Sequence, residues 1–257
     1  MAYVGTLDWA RETGGRLRLR DRLRLLPQAA AFYARQVSGR AERCLGLAGT
    51  GFQLDLDAVR VPDSPLAKAV EAHVEAVSPT WLAAHCARSF LWASLLAKRD
   101  GIVHDAELLY VACLLHDLGL TEHHEDTYDD VHCFAVEGAY AARDLGALQR
   151  WDAERRDRLA EAITLHLNVT VEVARGPEAH LLHEGTALDT AGARYHDLHG
   201  DTRDAVIDRH PRAGAPGMKA GLIPTFKRQC CRRPGSRAAF LCLGGFLGHV
   251  RRAPFAN

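Results

Sequence analysis

AELLYVACLLHDLGLT, residues 106–121, runs an unbroken apolar segment into a charged end. Its apolar core, Leu108 to Leu115, is eight residues long and is the longest such run in the chain. A membrane-spanning helix needs about twenty, so this one reads as a helix buried on all sides within a folded core. Asp105 stands where an N-cap belongs, and Gly119 marks the end. His116 and Asp117 therefore fall at the C-terminus of a buried helix, among Leu114, Leu115, Leu118 and Leu120. An unpartnered carboxylate in such surroundings costs on the order of several kcal/mol. A divalent cation would offset that, and imidazole nitrogen with carboxylate oxygen suits zinc, iron or manganese. A helix-terminal ion pair open to water is the alternative.

Working outward, SPTWLAAHCARSFLWASLLAK (78–98) puts His85 on one helical face with Trp81, Leu82, Ser89 and Trp92. AEAITLHLN (160–168) sets His166 on the apolar stripe of Ala162 and Ile163, and GPEAHLLHEGTALDTAG (176–192) embeds Asp189 behind Leu181, Leu182 and Leu188. His85, His116, Asp117 and Asp189 would supply two nitrogens and two oxygens from three helices, which a bundle can converge in its core. Taken singly, each could instead be a satisfied core histidine or an exposed acid.

Composition agrees with an all-α fold. Leu and Ala number 75 and Ile and Val 20, a skew away from strand formers. Helices are expected from Ser64-Pro65, over 79–98 behind a Ser78 cap, and over 105–119, 132–145, 152–168, 177–195 and 202–209. Two more, 218–231 and 235–249, are interrupted by Pro224 and by glycines. Before them, a helix within Arg18–Arg43 is broken at Pro27, and a loop covers Gly46 to Gly51. The seven cysteines lack CxxC spacing and read as reduced core residues of a cytoplasmic protein, and the N-terminus does not read as a secretory signal.

Net charge is zero, but residues 1–50 carry nine basic and four acidic side chains and residues 209–257 carry ten and none. The middle is acidic, so the basic ends are expected to pack on it. Zero net charge and few aromatics among the basic residues argue against a nucleic-acid partner, and the missing long apolar run argues against a membrane. A homo-oligomer is left open.

The order His, then His-Asp about thirty positions on, then a distant Asp resembles the HD superfamily of metal-dependent enzymes. Within it, the chain is similar to the cyanamide hydratase-like group. The segments that carry the likeness are VPDSP from Val61, His85 with Arg88, Leu114 to Thr121, Phe134 to Ala139, Ala162 to His166 and Leu181 to Gly192, with weaker matches at His210 and Phe226. The resemblance implies an HD helical domain over 55–210, flanked by an Arg-rich extension (1–54) and a basic helical extension (211–257). It implies metal ligands at His85, His116, Asp117 and Asp189. His132 lies off the register of a further ligand in some binuclear relatives, so one metal is expected, with zinc first and iron or manganese as alternatives; His166 and His183 are the residues that could serve a second.

A metal can bring the pKa of bound water from about 15.7 to near 7. Asp117 would act in catalysis as well as ligation, His166 would shuttle a proton, Phe134 would wall the pocket, and Arg88 would meet substrate. Residues 100–142 hold ten acids and no Lys or Arg, which suits a small uncharged substrate better than a phosphate ester. The reading is a hydratase of a small nitrile-type molecule, cyanamide to urea by the resemblance. A phosphohydrolase of nucleotides or other phosphate esters is the runner-up, and a non-catalytic scaffold is third. His123, His124, His196 and His199 are expected to be solvated.

Overall fold

In the computed structural model, residues 2–44 and 51–255 are described, the side chains of 32–44 and 147 excepted. Among them are twelve α-helices and no strand: α1 (Leu7–Thr13), α2 (Leu19–Cys44), α3 (Pro65–Val77), α4 (Thr80–Asp100), α5 (Ala106–Leu115), α6 (Phe134–Asp144), α7 (Ala153–Leu165), α8 (Pro177–Ala191), α9 (Gly200–Arg209), α10 (Met218–Arg232), α11 (Arg237–Leu243) and α12 (Phe246–Arg252). One isolated bridge pairs Phe52 with Leu198.

Local signals set most starts. The hydroxyl of Ser64 accepts from the Ala67 N–H, with Pro65 at the first helical position, and the Asp105 carboxylate accepts from Leu108 N–H. Ser78 does not repeat the device: Pro79 occupies the N-cap of α4 and contributes no side-chain bond. Thr6 caps α1, a helix the Arg-rich composition hid, whose Leu7 and Trp9 are buried. Pro27 lies inside α2 and Pro224 inside α10, and neither divides its helix. The expected helix over 235–249 is split at Gly244-Gly245, where Gly245 takes φ +87°. Of the expected loop after Gly46, only Gly51 lies within the described residues.

α5, apolar from Leu108 onward, is the axis of the core, with Leu108, Leu109, Val111, Ala112, Cys113 and Leu115 fully buried. α4 and α8 cross beside it at a glycine: a Cβ on Gly185 would stand 2.3 Å from the Ser89 carbonyl oxygen. A second apolar cluster joins the two ends of the chain to the middle, placing Trp9, Leu17 and Leu25 with Trp81, Phe134, Met218, Leu222 and Phe226.

Two arginines of the basic C-terminal region pair with acids from the middle of the chain. Arg232 meets Glu125 at 2.6 Å and also pairs with Asp126, while Arg233 reaches Asp126 at 2.6 Å and the buried Glu137 at 2.5 Å. The cysteine expectation needs correction. Cys86, Cys113 and Cys133 are buried and free, but Cys231 is exposed and Cys230 is joined to Cys242 in a disulfide. The turn between α10 and α11 brings this pair together from 12 positions apart, which spacing alone does not reveal. The side chain of Cys44 lies outside the described residues. Among the described residues no helix is long and apolar enough to cross a membrane.

Candidate metal centre

His85 from the second turn of α4 and His116-Asp117 from the end of α5 meet in the core, with ligand atoms all within 4.8 Å of one another. The Nε2 atoms of His85 and His116 are 3.3 Å apart. Asp117 Oδ2 lies 3.2 Å from His116 Nε2 and 3.7 Å from His85 Nε2. The far nitrogen of each ring is already engaged. His116 Nδ1 sits 2.8 Å from the Cys113 carbonyl oxygen, and His85 Nδ1 sits 2.7 Å from Asp189 Oδ2. A carbonyl oxygen can only accept, so His116 Nδ1 carries a proton and Nε2 is the nitrogen turned inward. Two imidazole Nε2 atoms and a carboxylate oxygen thus face one small space, a donor set that would fit a divalent cation once it displaces the proton between His116 and Asp117.

The electrostatics follow from burial. Burial lowers the His85 pKa, against the hydrogen bond it donates to Asp189, which raises it. Burial also opposes ionisation of His116 and Asp117, but their mutual attraction prevails, with His116 held well above and Asp117 below its ordinary range. His166 closes the edge of the group. Its Nε2 is 3.8 Å from Asp117 Oδ1 and its Nδ1 is 2.6 Å from the Ile163 carbonyl. Burial, then the charge of His116, brings its pKa down to about 3, so its imidazole is neutral at pH 7.

Asp189 falls outside this cluster and behind it. Besides His85, its fully buried carboxylate accepts from Arg88 (2.8 and 3.0 Å), Trp92 Nε1 (2.9 Å) and Arg212 (3.0 Å). The expectation that Arg88 meets substrate is not met. Its remaining Nη1 donates to the His210 and Pro211 carbonyls at 3.0 and 3.2 Å, and the residue is absent from the cavity wall. Arg88 was legible as a cation one turn from His85, but Asp189 arrives on the same side and takes it. Arg212 escaped the sequence reading although the HPR triplet at 210–212 contains it; its neighbours gave no sign of burial.

A cavity of about 670 Å³ opens onto the centre and is lined by His85, His116, Asp117, His166, His183 and Phe134, among others. His183 Nδ1 is 3.0 Å from the His166 carbonyl oxygen. Phe134 forms part of the wall. Of the histidines expected to be solvated, His123 is exposed, but His124 is partly covered, with its Nε2 2.9 Å from His73 Nε2. His199 caps α9 through the Asp201 N–H.

Residues 82–190 match the HD domain family. The matched segment runs from α4 to the end of α8, so it contains His85, His116, Asp117, His166 and Asp189. No curated protein matches the chain. HD domains bind divalent metals, and HD proteins are metal-dependent enzymes, mostly phosphohydrolases. Among the described residues, His85, His116 and Asp117 form the only group of three or more ligand side chains so gathered.

Proposed function

We propose that this protein is a metal-dependent hydratase that adds water across the carbon–nitrogen triple bond of a nitrile-type substrate. Cyanamide to urea is the reaction implied by the resemblance. The observation that carries this reading is the chemistry of the cavity wall. Among its described residues there is no Lys and a single Arg, Arg22, whose guanidinium donates to the Pro234 carbonyl. A phosphate dianion needs cationic clamps beside the ion that activates its attacker. The cation nearest by sequence, Arg88, one turn from His85, is taken by Asp189 and by the His210 and Pro211 carbonyls instead. An uncharged nitrile needs none.

One divalent ion, which His85, His116 and Asp117 would hold, would supply Lewis acidity and acidify a water toward neutrality. Asp189 fixes the tautomer and orientation of His85 from behind. His166, neutral and pinned at Nδ1, presents the lone pair of Nε2 at the edge of the group, where it would accept a hydrogen bond from the attacking water and orient it; with its pKa brought down to about 3 it holds that water in place and does not store its proton. Phe134 keeps that edge dry. The new carbon–oxygen bond forms as one π pair moves to nitrogen, and the two protons of water end on the amide.

The test offers the purified, zinc-loaded protein cyanamide and, separately, a panel of nucleotides, with urea and phosphate measured. Urea without phosphate is expected. Phosphate without urea would overturn the reading in favour of a phosphohydrolase, and neither product would leave the hydratase unsupported.

A further inference from the structure

The cavity is much larger than cyanamide requires, and its walls change character with distance from the metal centre. At its inner end are the imidazoles and Asp117. From there a row of rings leads outward: His116 to His166 (4.9 Å between centroids), His166 to Phe134 (6.1 Å), Phe134 to Phe226 (5.7 Å) and Phe226 to Phe246 (4.8 Å). Leu120 and Leu222 fill the wall beside them. At the mouth, Leu19, Leu23 and Leu26 follow one face of α2 at helical spacing. They are 74%, 58% and 53% exposed, and Leu243 on α11 is 80% exposed. Large apolar side chains left open in this way, continuous with an apolar pocket, mark a surface that an apolar ligand covers.

From this geometry we infer that the substrate is a nitrile bearing an apolar, uncharged hydrocarbon body, alkyl or aryl, which lies along the Phe134–Phe226–Phe246 wall while its nitrile carbon sits at the His–His–Asp group. The inference rests on the nitrile reading above and specifies its substrate. Cyanamide itself would leave the aromatic row and the leucine mouth without contact. A body of drug-like size fits the volume of about 670 Å³. The step is R–C≡N plus water to R–C(=O)NH₂, with no oxidant or reductant consumed.

The experiment measures amide formation from cyanamide, a series of straight-chain alkyl nitriles and benzonitrile, using the zinc-loaded full chain. In parallel, binding of the neutral apolar dye Nile red is followed by fluorescence. Transfer of each methylene from water to such a wall predicts a rise in kcat/KM of about fourfold per methylene until the cavity is filled. Leu23→Glu, at an exposed position where folding is not at stake, should lower kcat/KM for the longer nitriles more than for cyanamide and should weaken dye binding. Turnover of cyanamide with kcat/KM flat or falling along the series overturns this inference and leaves the hydratase standing. No turnover of any nitrile, with dye bound and weakened by Leu23→Glu, overturns the hydratase and supports an apolar occupant. Failure of the protein to bind the dye overturns the apolar occupant whatever the turnover.

Discussion

Asp189→Asn should separate a carboxylate that orients a ligand from one that is a ligand. In the native protein five N–H donors converge on Asp189: one from His85, two from Arg88 and one each from Trp92 and Arg212. Arg88 is fully buried and Arg212 is 2% exposed, so both guanidinium charges depend on this one anion. An amide keeps one acceptor oxygen but turns an N–H₂ toward either His85 Nδ1–H or Arg88. Removing one partner of a buried ionic group costs about 3–5 kcal/mol, a drop in Tm of roughly 6–20 °C for a chain of this size. Loss of the partner that fixes a ligating histidine should weaken metal binding about 10–100-fold. Thermal unfolding of the chelated protein reads the first effect, and competition with a fluorescent zinc chelator reads the second. Unchanged Tm and unchanged metal affinity together would refute the account. Metal binding abolished as completely as in His116→Ala would restore Asp189 as a direct ligand.

Divalent zinc should raise the Tm of the native protein, by about 2.7 kcal/mol of stabilisation at a hundredfold excess over Kd; His116→Ala should lose that rise, and a rise that survived would place the ion elsewhere. Gly185→Ala forces a Cβ to 2.3 Å from the Ser89 carbonyl and 3.0 Å from the Ala93 nitrogen. Overpacking of this kind costs about 1–3 kcal/mol, and because α4 carries His85, zinc affinity measured by chelator competition should fall as well. The His124 pKa is brought down to about 4, first by burial and then by His73 and His123. The neutral ring is the one favoured in the folded state, so its contribution is present above the ordinary 6.5 and is lost as pH falls toward 4. The urea midpoint should drop between about pH 7 and pH 5, and His124→Gln should flatten that slope; an identical slope in the variant would refute the assignment.

Much of the α-helical layout could be read from local chemistry. The Ser64 and Asp105 caps, the leucine-rich run of α5 and the His-Asp pair at its end all act over a few residues, so neighbours in sequence suffice to state them. The same holds for His85, His116 and Asp117 as candidate ligands, since burial of each follows from helical periodicity. Where long-range contact decided, the local reading failed. Pro27 and Pro224 look like helix breaks, yet packing carries α2 and α10 through them. Cys230 and Cys242 meet only because α10 turns back into α11.

The sequence by itself determined which side chains could hold a metal, because a polar group on an apolar helical stripe has to find a partner. Only the tertiary structure decided which partner each one found. Asp189 and Arg88 are 101 positions apart and Asp189 and Arg212 are 23 apart, and their charges are drawn together once the helices bury them. The apolar cavity likewise belongs to no single segment. Its wall is assembled from α2, α4, α6, α8, α10, α11 and α12, and the character of such a space follows from which faces meet across it.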